Sequence, residues 1–315
     1  MRIAVLDDYQ HAALPSADWE SLGAEVSVFH SHISDTSDLV LELRPFDVIV
    51  AMRERTPFTS ERIGLLPSLR LLVTTGMRNA SIDVAAANAA GVTVCGTRGS
   101  AGATPELTWA LILSLVRHVP AEDRAVRDGG WQHTLGFGLS GRTLGIVGLG
   151  NIGSRVAAVG QAFGMDVIAW SQNLSAAVAA DHGVTAVTKD ELFATADVIT
   201  VHYKLSDRSA GLVGERELGL MKPTAFLVNT SRGPIVDSGA LLAALRSEAI
   251  AGAALDVYDE EPLQVGHPLR SAPRTVLTPH IGYVTDDGYR RFYGDAVEDI
   301  AAFAAGRPVR VLTPE

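Results

Sequence analysis

Arg232, Glu261 and His280 each stand a few residues past the end of a short apolar run, at residues 225–229, 252–255 and 276–277. An arginine can grip a carboxylate through two parallel hydrogen bonds and place positive charge beside a carbonyl that gains electron density. A histidine can give a proton to the developing alkoxide, or take one from a hydroxyl in the reverse direction. A nearby carboxylate orients an imidazole and favours its protonated form. Such a trio suits proton-coupled chemistry at a carbon next to a carboxylate. Taken singly, none persuades. A lone Arg after a strand is ordinarily at the surface, a Glu in a run such as Asp259-Glu260-Glu261 ordinarily solvated, and a His between Pro279 and Ile281 as often structural.

A second constellation concerns the electrons. Residues 143–147 read as a strand that runs directly into Gly148-Leu149-Gly150-Asn151-Ile152-Gly153. In such a turn Gly148 permits the tight bend, Gly150 lets the backbone approach a pyrophosphate, and Gly153 lets the next helix pack closely on the sheet. The amides of Asn151 and Ile152 open that helix, where unpaired N–H groups favour phosphate. A bare glycine pattern is weak, but here a strand precedes it, a helix ending near residues 163–164 follows, and residues 166–170 supply the next strand. Dinucleotide binding is the expected use. The adenosine ribose would meet Ser171 and Gln172, where an Asp or Glu would select NAD and repel a 2′-phosphate. Neither acid is present and no Arg or Lys adjoins, so the cofactor is expected to be NAD or NADP, with NADP accepted. Arg155, on the helix after the glycine turn, is a poor substitute, whereas His202, near a strand end, could line the groove.

These side chains need a scaffold that gathers strand ends. Buried strands are predicted at residues 3–6, 26–29, 48–51, 69–74 and 92–95, with helices at 38–43, 60–66 and 82–90, the last capped near Ser81 and closed at Gly91. The second alternation has strands at 143–147, 166–170, 184–187, 198–201, 225–229, 252–255 and 276–277. Between the two alternations, residues 96–105 break the pattern and residues 106–127 read as one long helix. A last helix is predicted over 289–305, and periodicity alone does not place it. The fold class is therefore α/β, with two Rossmann-like parallel-sheet domains: a flavodoxin-like substrate domain and a dinucleotide-binding domain.

Composition narrows the function further. The chain has 315 residues, 26 Lys plus Arg against 36 Asp plus Glu, and a formal net charge of -10, so nucleic acid is not an expected partner. Cys95 is the only cysteine, which fits a reducing compartment and excludes an intrachain disulfide. The N-terminal residues turn acidic at Asp7-Asp8 after a short apolar run, unlike a secretory signal, and no apolar stretch is long enough to span a bilayer. A cytoplasmic protein is expected. No metal set emerges, since the acidic pairs Asp7-Asp8, Asp259-Glu260 and Asp286-Asp287 read as surface carboxylates. A Gly-x-Ser-x-Gly elbow and a phosphate loop ending in Gly-Lys-Ser or Gly-Lys-Thr are absent, which argues against a serine hydrolase and a nucleotide triphosphatase.

Four ordered stretches, at residues 141–153, 221–233, 254–262 and 277–282, resemble the D-isomer-specific 2-hydroxyacid dehydrogenase family. The resemblance runs from about residue 45 to 305. It implies a nicotinamide-dependent oxidoreductase for a small 2-hydroxy or 2-keto acid, with Arg232 binding substrate, His280 as acid/base and Glu261 supporting it. It further implies that Asp256 holds the nicotinamide carboxamide, that Arg53 contacts substrate, and that the backbone of Thr75-Gly76-Met77 receives the carboxylate. The substrate domain would be discontinuous, residues 1–98 with 285–315, around a cofactor domain at 99–284, and the protein would be a homodimer through the region after Ser100. Tyr283 departs from the small residues of many relatives and would narrow the site. Formate oxidation fits less well, because a formate site uses a Gln before its histidine. The alternative function is a non-catalytic interaction protein of corepressor type that uses dinucleotide to control assembly.

Overall fold

The computed structural model describes residues 1–100 and 102–314; Ala101, inside the predicted break, and Glu315 lie outside the described residues. The chain divides into two compact units, Met1–Ser100 with Tyr283–Glu315, and Ala101–Gly282.

The first unit carries a five-stranded parallel sheet of β1 (Arg2–Val5), β2 (Glu25–Val28), β3 (Val48–Ala51), β4 (Leu71–Thr74) and β5 (Thr93–Gly96), ordered β2-β1-β3-β4-β5. Its β3 and β4 are buried throughout, which is why they read as continuous apolar runs without alternation. Side chains still alternate between the faces. Ala4, Ile49 and Leu72 pack with Leu43, Phe58 and Ile63 on one side. Ile3, Val50 and Val73 meet Phe292, Tyr293 and Ile300 on the other. Those last residues belong to the helix Asp286–Ala304, so the final helix returns to the first unit. Full burial of each such aliphatic or aromatic side chain contributes about 1.5–3 kcal/mol, enough to dock the helix.

The second unit holds a seven-stranded parallel sheet of β6 (Thr143–Val147), β7 (Asp166–Trp170), β8 (Thr185–Ala186), β9 (Val198–Val201), β10 (Phe226–Asn229), β11 (Gly252–Leu255) and β12 (Thr275–Leu277). Its order, β12-β11-β10-β9-β6-β7-β8, is the dinucleotide-binding arrangement extended by one strand, with the reversal between β6 and β9. Cores on the two faces are built around Ile199, Leu227 and Leu255, and around Ile146, Val198 and Val228. The α/β class with two parallel sheets thus stands as the sequence suggests. Among the described residues no helix is long and apolar enough to cross a membrane.

Several local expectations need correction. The predicted helix over 106–127 is two helices, Ala103–Val116 and Val119–Arg127, separated by His118 in the left-handed region at φ 53°. Pro120 is the cause: it lacks the N–H an uninterrupted helix would use and would clash with the preceding turn, so it sits in the first turn of a new helix. The first helix is buried through Trp109, Leu111, Ile112 and Leu115, and the second buries nothing. The helix predicted to start near Ser81 runs Val84–Ala89, because Asp83 is its cap and accepts from the Ala86 amide. Asp7 and Asp8 are not surface carboxylates. Both are buried, Asp7 accepting from Thr56 and Tyr9, and Asp8 from the Ala12 and Ala13 amides.

Candidate active site

The glycine turn follows β6, where the strand order reverses, so a ligand there would sit in the crevice beyond the strand ends. Its three glycines have different reasons to be glycine. Gly148 has φ +100° and would drive a Cβ to 2.6 Å from the His202 carbonyl oxygen. A Cβ on Gly153 would lie 2.1 Å from the Gly148 carbonyl oxygen, so the helix Asn151–Ala162 could not pack as it does. Gly150 alone would point its Cβ into open space. Packing gives no reason for that glycine, whereas the close approach of a pyrophosphate does. The helix it begins has no side-chain cap and no acid in its first turn. Exposed Asn151 and half-buried Ile152 supply the first amides of that turn. These features fit a dinucleotide phosphate.

Around the turn, the Ser171 hydroxyl accepts from the Leu149 amide at 3.0 Å, tying the end of β7 to the glycine loop. The Gln172 amide donates to the Tyr203 hydroxyl at 3.3 Å, and the Tyr203 ring stacks on Trp170 with centroids 5.9 Å apart. His202 ends β9. Its Nε2 bonds the Thr200 hydroxyl at 2.9 Å, its Nδ1 is shut off from solvent with no partner, and burial pushes its pKa down to about 3. The ring is neutral at physiological pH.

The three polar positions beyond late strands come from consecutive neighbours, since β10 pairs with β11 and β11 with β12. Arg232 follows β10. Asn229, at the end of that strand, holds the turn by donating to the Arg232 carbonyl at 2.9 Å and accepting from the Ser231 amide at 3.0 Å. A Cβ on Gly233 would lie 2.0 Å from the Tyr258 carbonyl carbon, so this turn lies flat against the loop that carries Glu261. Glu261 accepts from the Tyr258 amide through Oε1 at 2.9 Å and meets His280 Nδ1 through Oε2 at 2.5 Å. One carboxylate is thereby fixed at both oxygens, and its bond to Nδ1 sets the orientation of the imidazole. The His280 side chain is 15% exposed and that of Glu261 26%.

Asp256 organises this region. It is 1% exposed and accepts from the Thr278 hydroxyl at 2.6 Å and from the Ile281 and Gly282 amides at 2.8 Å, so it clamps the segment that presents His280. Burial pushes its pKa up; those donors and His280 pull the other way. Tyr258 completes the frame through its hydroxyl, which donates to the Thr278 carbonyl at 3.0 Å. The clamp was not legible in the sequence, because it needs the loops after β11 and β12 side by side. The Asp256-Val257-Tyr258 string next to Glu261 was its one available signal.

Arg53, Gly76 and Met77 belong to the first unit, beyond β3 and β4. Arg53 adopts φ 52°, its amide donates to the Thr75 hydroxyl at 2.9 Å, and its Nη1 donates to the Thr75 carbonyl at 3.0 Å. Its guanidinium lies across Gly76, where a Cβ would come within 1.8 Å of Nη1, and 5.9 Å from the Tyr283 ring. The Gly76 amide is already engaged, donating to the Thr97 hydroxyl at 2.8 Å, while Met77 is 46% exposed.

Comparison with known proteins identifies the family and the fold. The family described as D-isomer specific 2-hydroxyacid dehydrogenase, NAD binding domain, matches residues 109–282. A glyoxylate reductase of Aeropyrum pernix is 43% identical over 251 residues, 76% of this chain and 75% of that protein. A D-3-phosphoglycerate dehydrogenase of Bacillus subtilis is 36% identical over 287 residues, 90% of this chain but 54% of that protein, so the chain spans about half the length of that relative. Among solved structures, a phosphoglycerate oxidoreductase from Vibrio cholerae O395 superposes with a TM-score of 0.93 at 40% identity, covering 97% of this chain and 99% of the other.

Proposed function

Since this chain belongs to the D-isomer specific 2-hydroxyacid dehydrogenase family, we propose that it interconverts a small 2-keto acid and its 2-hydroxy acid with NAD or NADP, using Arg232, Glu261 and His280. The observation that carries the reading is the 2.5 Å pair of His280 with Glu261, held at the end of the strand next to β10 and its Arg232.

The glycine turn, Asn151, Ile152, Ser171 and Gln172 would hold the cofactor, and when bound the nicotinamide exchanges a hydride with the substrate carbon. Arg232 would bind the substrate carboxylate and stabilise negative charge growing on the neighbouring oxygen. In reduction, protonated His280 gives its Nε2 proton to that oxygen while Nδ1 keeps its bond to Glu261. In oxidation Nε2 takes the hydroxyl proton back. Glu261, bonded to the Tyr258 amide, fixes the ring orientation. Asp256 would support this step by fixing the His280 segment, in place of or in addition to a contact with the nicotinamide carboxamide. In the first unit, Arg53 and the backbone at Gly76 and Met77 would contribute to substrate binding. Since the Gly76 amide serves Thr97, the Met77 amide is the better candidate for the carboxylate.

Acceptance of NADP follows from Ser171 and Gln172, neither of which repels a 2′-phosphate. A homodimer accounts for the helix Val119–Arg127, which buries no residue and leaves Val119 50%, Val126 52% and nearby Trp131 74% exposed. Residence in the cytoplasm and freedom from nucleic acid complete the proposal. Its test is the fall in nicotinamide absorbance when NADH or NADPH is mixed with a panel of 2-keto acids including glyoxylate, hydroxypyruvate and pyruvate. Turnover of at least one is expected; none turned over by folded protein that binds cofactor would defeat the reading.

A further inference from the structure

We infer that Asn79 is a positioning residue that holds Arg53 in the orientation in which it meets substrate. The inference rests on the reading of Arg53 as a substrate-binding residue given above. Arg53 occupies the left-handed region at φ 52°, a conformation L residues with long side chains rarely adopt. Neighbouring residues must impose it. Thr75 takes the Arg53 amide through its hydroxyl and Arg53 Nη1 through its carbonyl. What fixes the other side of the residue is Asn79, whose Nδ2 donates to the Arg53 carbonyl at 2.6 Å and to the Thr74 hydroxyl at 2.9 Å.

Asn79 is itself oriented, because its Oδ1 accepts from the Ser81 amide at 2.9 Å. The side-chain amide therefore joins three segments: the end of β4, the turn before the helix Val84–Ala89, and Arg53, two residues past β3. With amide, carbonyl and guanidinium all fixed, the Arg53 side chain runs across Gly76 instead of out from the strand. Glu54 Oε2 lies 3.5 Å from Arg53 Nε and adds an ion pair to the fixed guanidinium. A carboxamide does this work where shorter or purely accepting groups would not, since it must donate twice and accept once.

The consequence is a division of labour. Arg53 would touch substrate, and Asn79 would act only through Arg53. The test is a double-mutant cycle with Asn79→Ala, Asn79→Asp and Arg53→Ala, following kcat and KM with the best 2-keto acid of the panel and thermal unfolding in parallel. Asn79→Asp keeps the acceptor for Ser81 and removes the donor to Arg53, which separates the turn from the clamp. Both Asn79 variants are expected to raise KM roughly fivefold or more, the scale of one lost hydrogen bond, with a smaller change in kcat. In the Arg53→Ala background the same substitutions should leave KM unchanged while still lowering the unfolding midpoint. An equal rise of KM in both backgrounds, or no rise where Arg53→Ala itself raises KM, overturns the positioning role. If Arg53→Ala leaves KM at the wild-type value, the assignment of Arg53 to substrate fails, and the role of Asn79 falls with it.

Discussion

Replacing Gly150 with Ala separates ligand approach from packing in the glycine turn. Nothing lies within 4 Å of a Cβ built at Gly150, and its backbone, φ -99° and ψ -157°, is open to any residue. The variant should fold. Ala caps a helix less well than Gly, so a cost below about 1 kcal/mol is expected, a shift of roughly 2–4 °C in the unfolding midpoint. The methyl group nevertheless occupies the space a pyrophosphate needs, and displacing it loses at least one hydrogen bond to a charged group. At about 1.5–3 kcal/mol for each such bond, NADH and NADPH should bind roughly 10- to 150-fold more weakly. Gly153→Ala is the control. Its Cβ would sit 2.1 Å from the Gly148 carbonyl oxygen, so overpacking of about 1–3 kcal/mol or more should lower stability before any ligand is added. Calorimetric titration with each cofactor, beside thermal unfolding, reads both effects. If Gly150→Ala binds cofactor within about threefold of wild type, about 0.65 kcal/mol, no phosphate approaches that glycine and the reading of the turn is wrong.

Other consequences are as direct. Asp299 is fully buried, pairs through Oδ1 with Arg310, leaves Oδ2 unpartnered, and has its pKa pushed up to about 7 by burial. Its folded pKa is raised, so the stability it lends is full below about pH 4 and lost as pH rises to about 7. Asp299→Asn should therefore gain on wild type between pH 4 and 7 by up to about 4 kcal/mol, roughly three pH units at about 1.36 kcal/mol each with the Arg310 ion pair already included, and no further above. His202 titrates with the opposite slope but cancels in the difference, and a difference flat from pH 4 to 8 in chemical denaturation would refute the argument. Asp256→Asn turns an N–H toward one of the donors that Asp256 accepts from, and should cost about 1–3 kcal/mol with a fall in kcat; wild-type stability and rate would refute the clamp. With one shared keto acid, kcat/KM for NADPH should lie within about 100-fold of that for NADH, a gap of less than roughly 2.7 kcal/mol, and a larger preference for NADH contradicts tolerance of the 2′-phosphate.

The fold was legible because its strands are short β-branched runs bounded by turn residues. Runs such as Val48–Ala51 and Val198–Val201 need no partner to be recognised. The parallel α/β class was recoverable from the regular βα alternation, but not the order of strands, which differs between two units with the same alternation. What escaped was chemistry between segments distant in sequence. Asp7 and Asp8 look like a surface pair until Thr56 and the Ala12 and Ala13 amides come to meet them. Asp256 reads as a motif residue, and only the neighbouring Thr278–Gly282 segment shows what its carboxylate holds. Pro120, by contrast, was a local signal against one continuous helix, outweighed by the apolar pattern around it. The trio was legible as residue types past strand ends, while its relay depends on Glu261 reaching His280 across a separation of 19 residues.

The central claim is that His280 moves the substrate proton while the glycine turn independently holds the cofactor. The most direct measurement is kcat/KM for keto-acid reduction by His280→Ala, with cofactor affinity determined on the same preparation. A general acid of this kind contributes roughly 10²- to 10⁴-fold, so kcat/KM should fall by that amount with NADH and NADPH binding within about twofold of wild type. Turnover at the wild-type rate in His280→Ala would contradict the account.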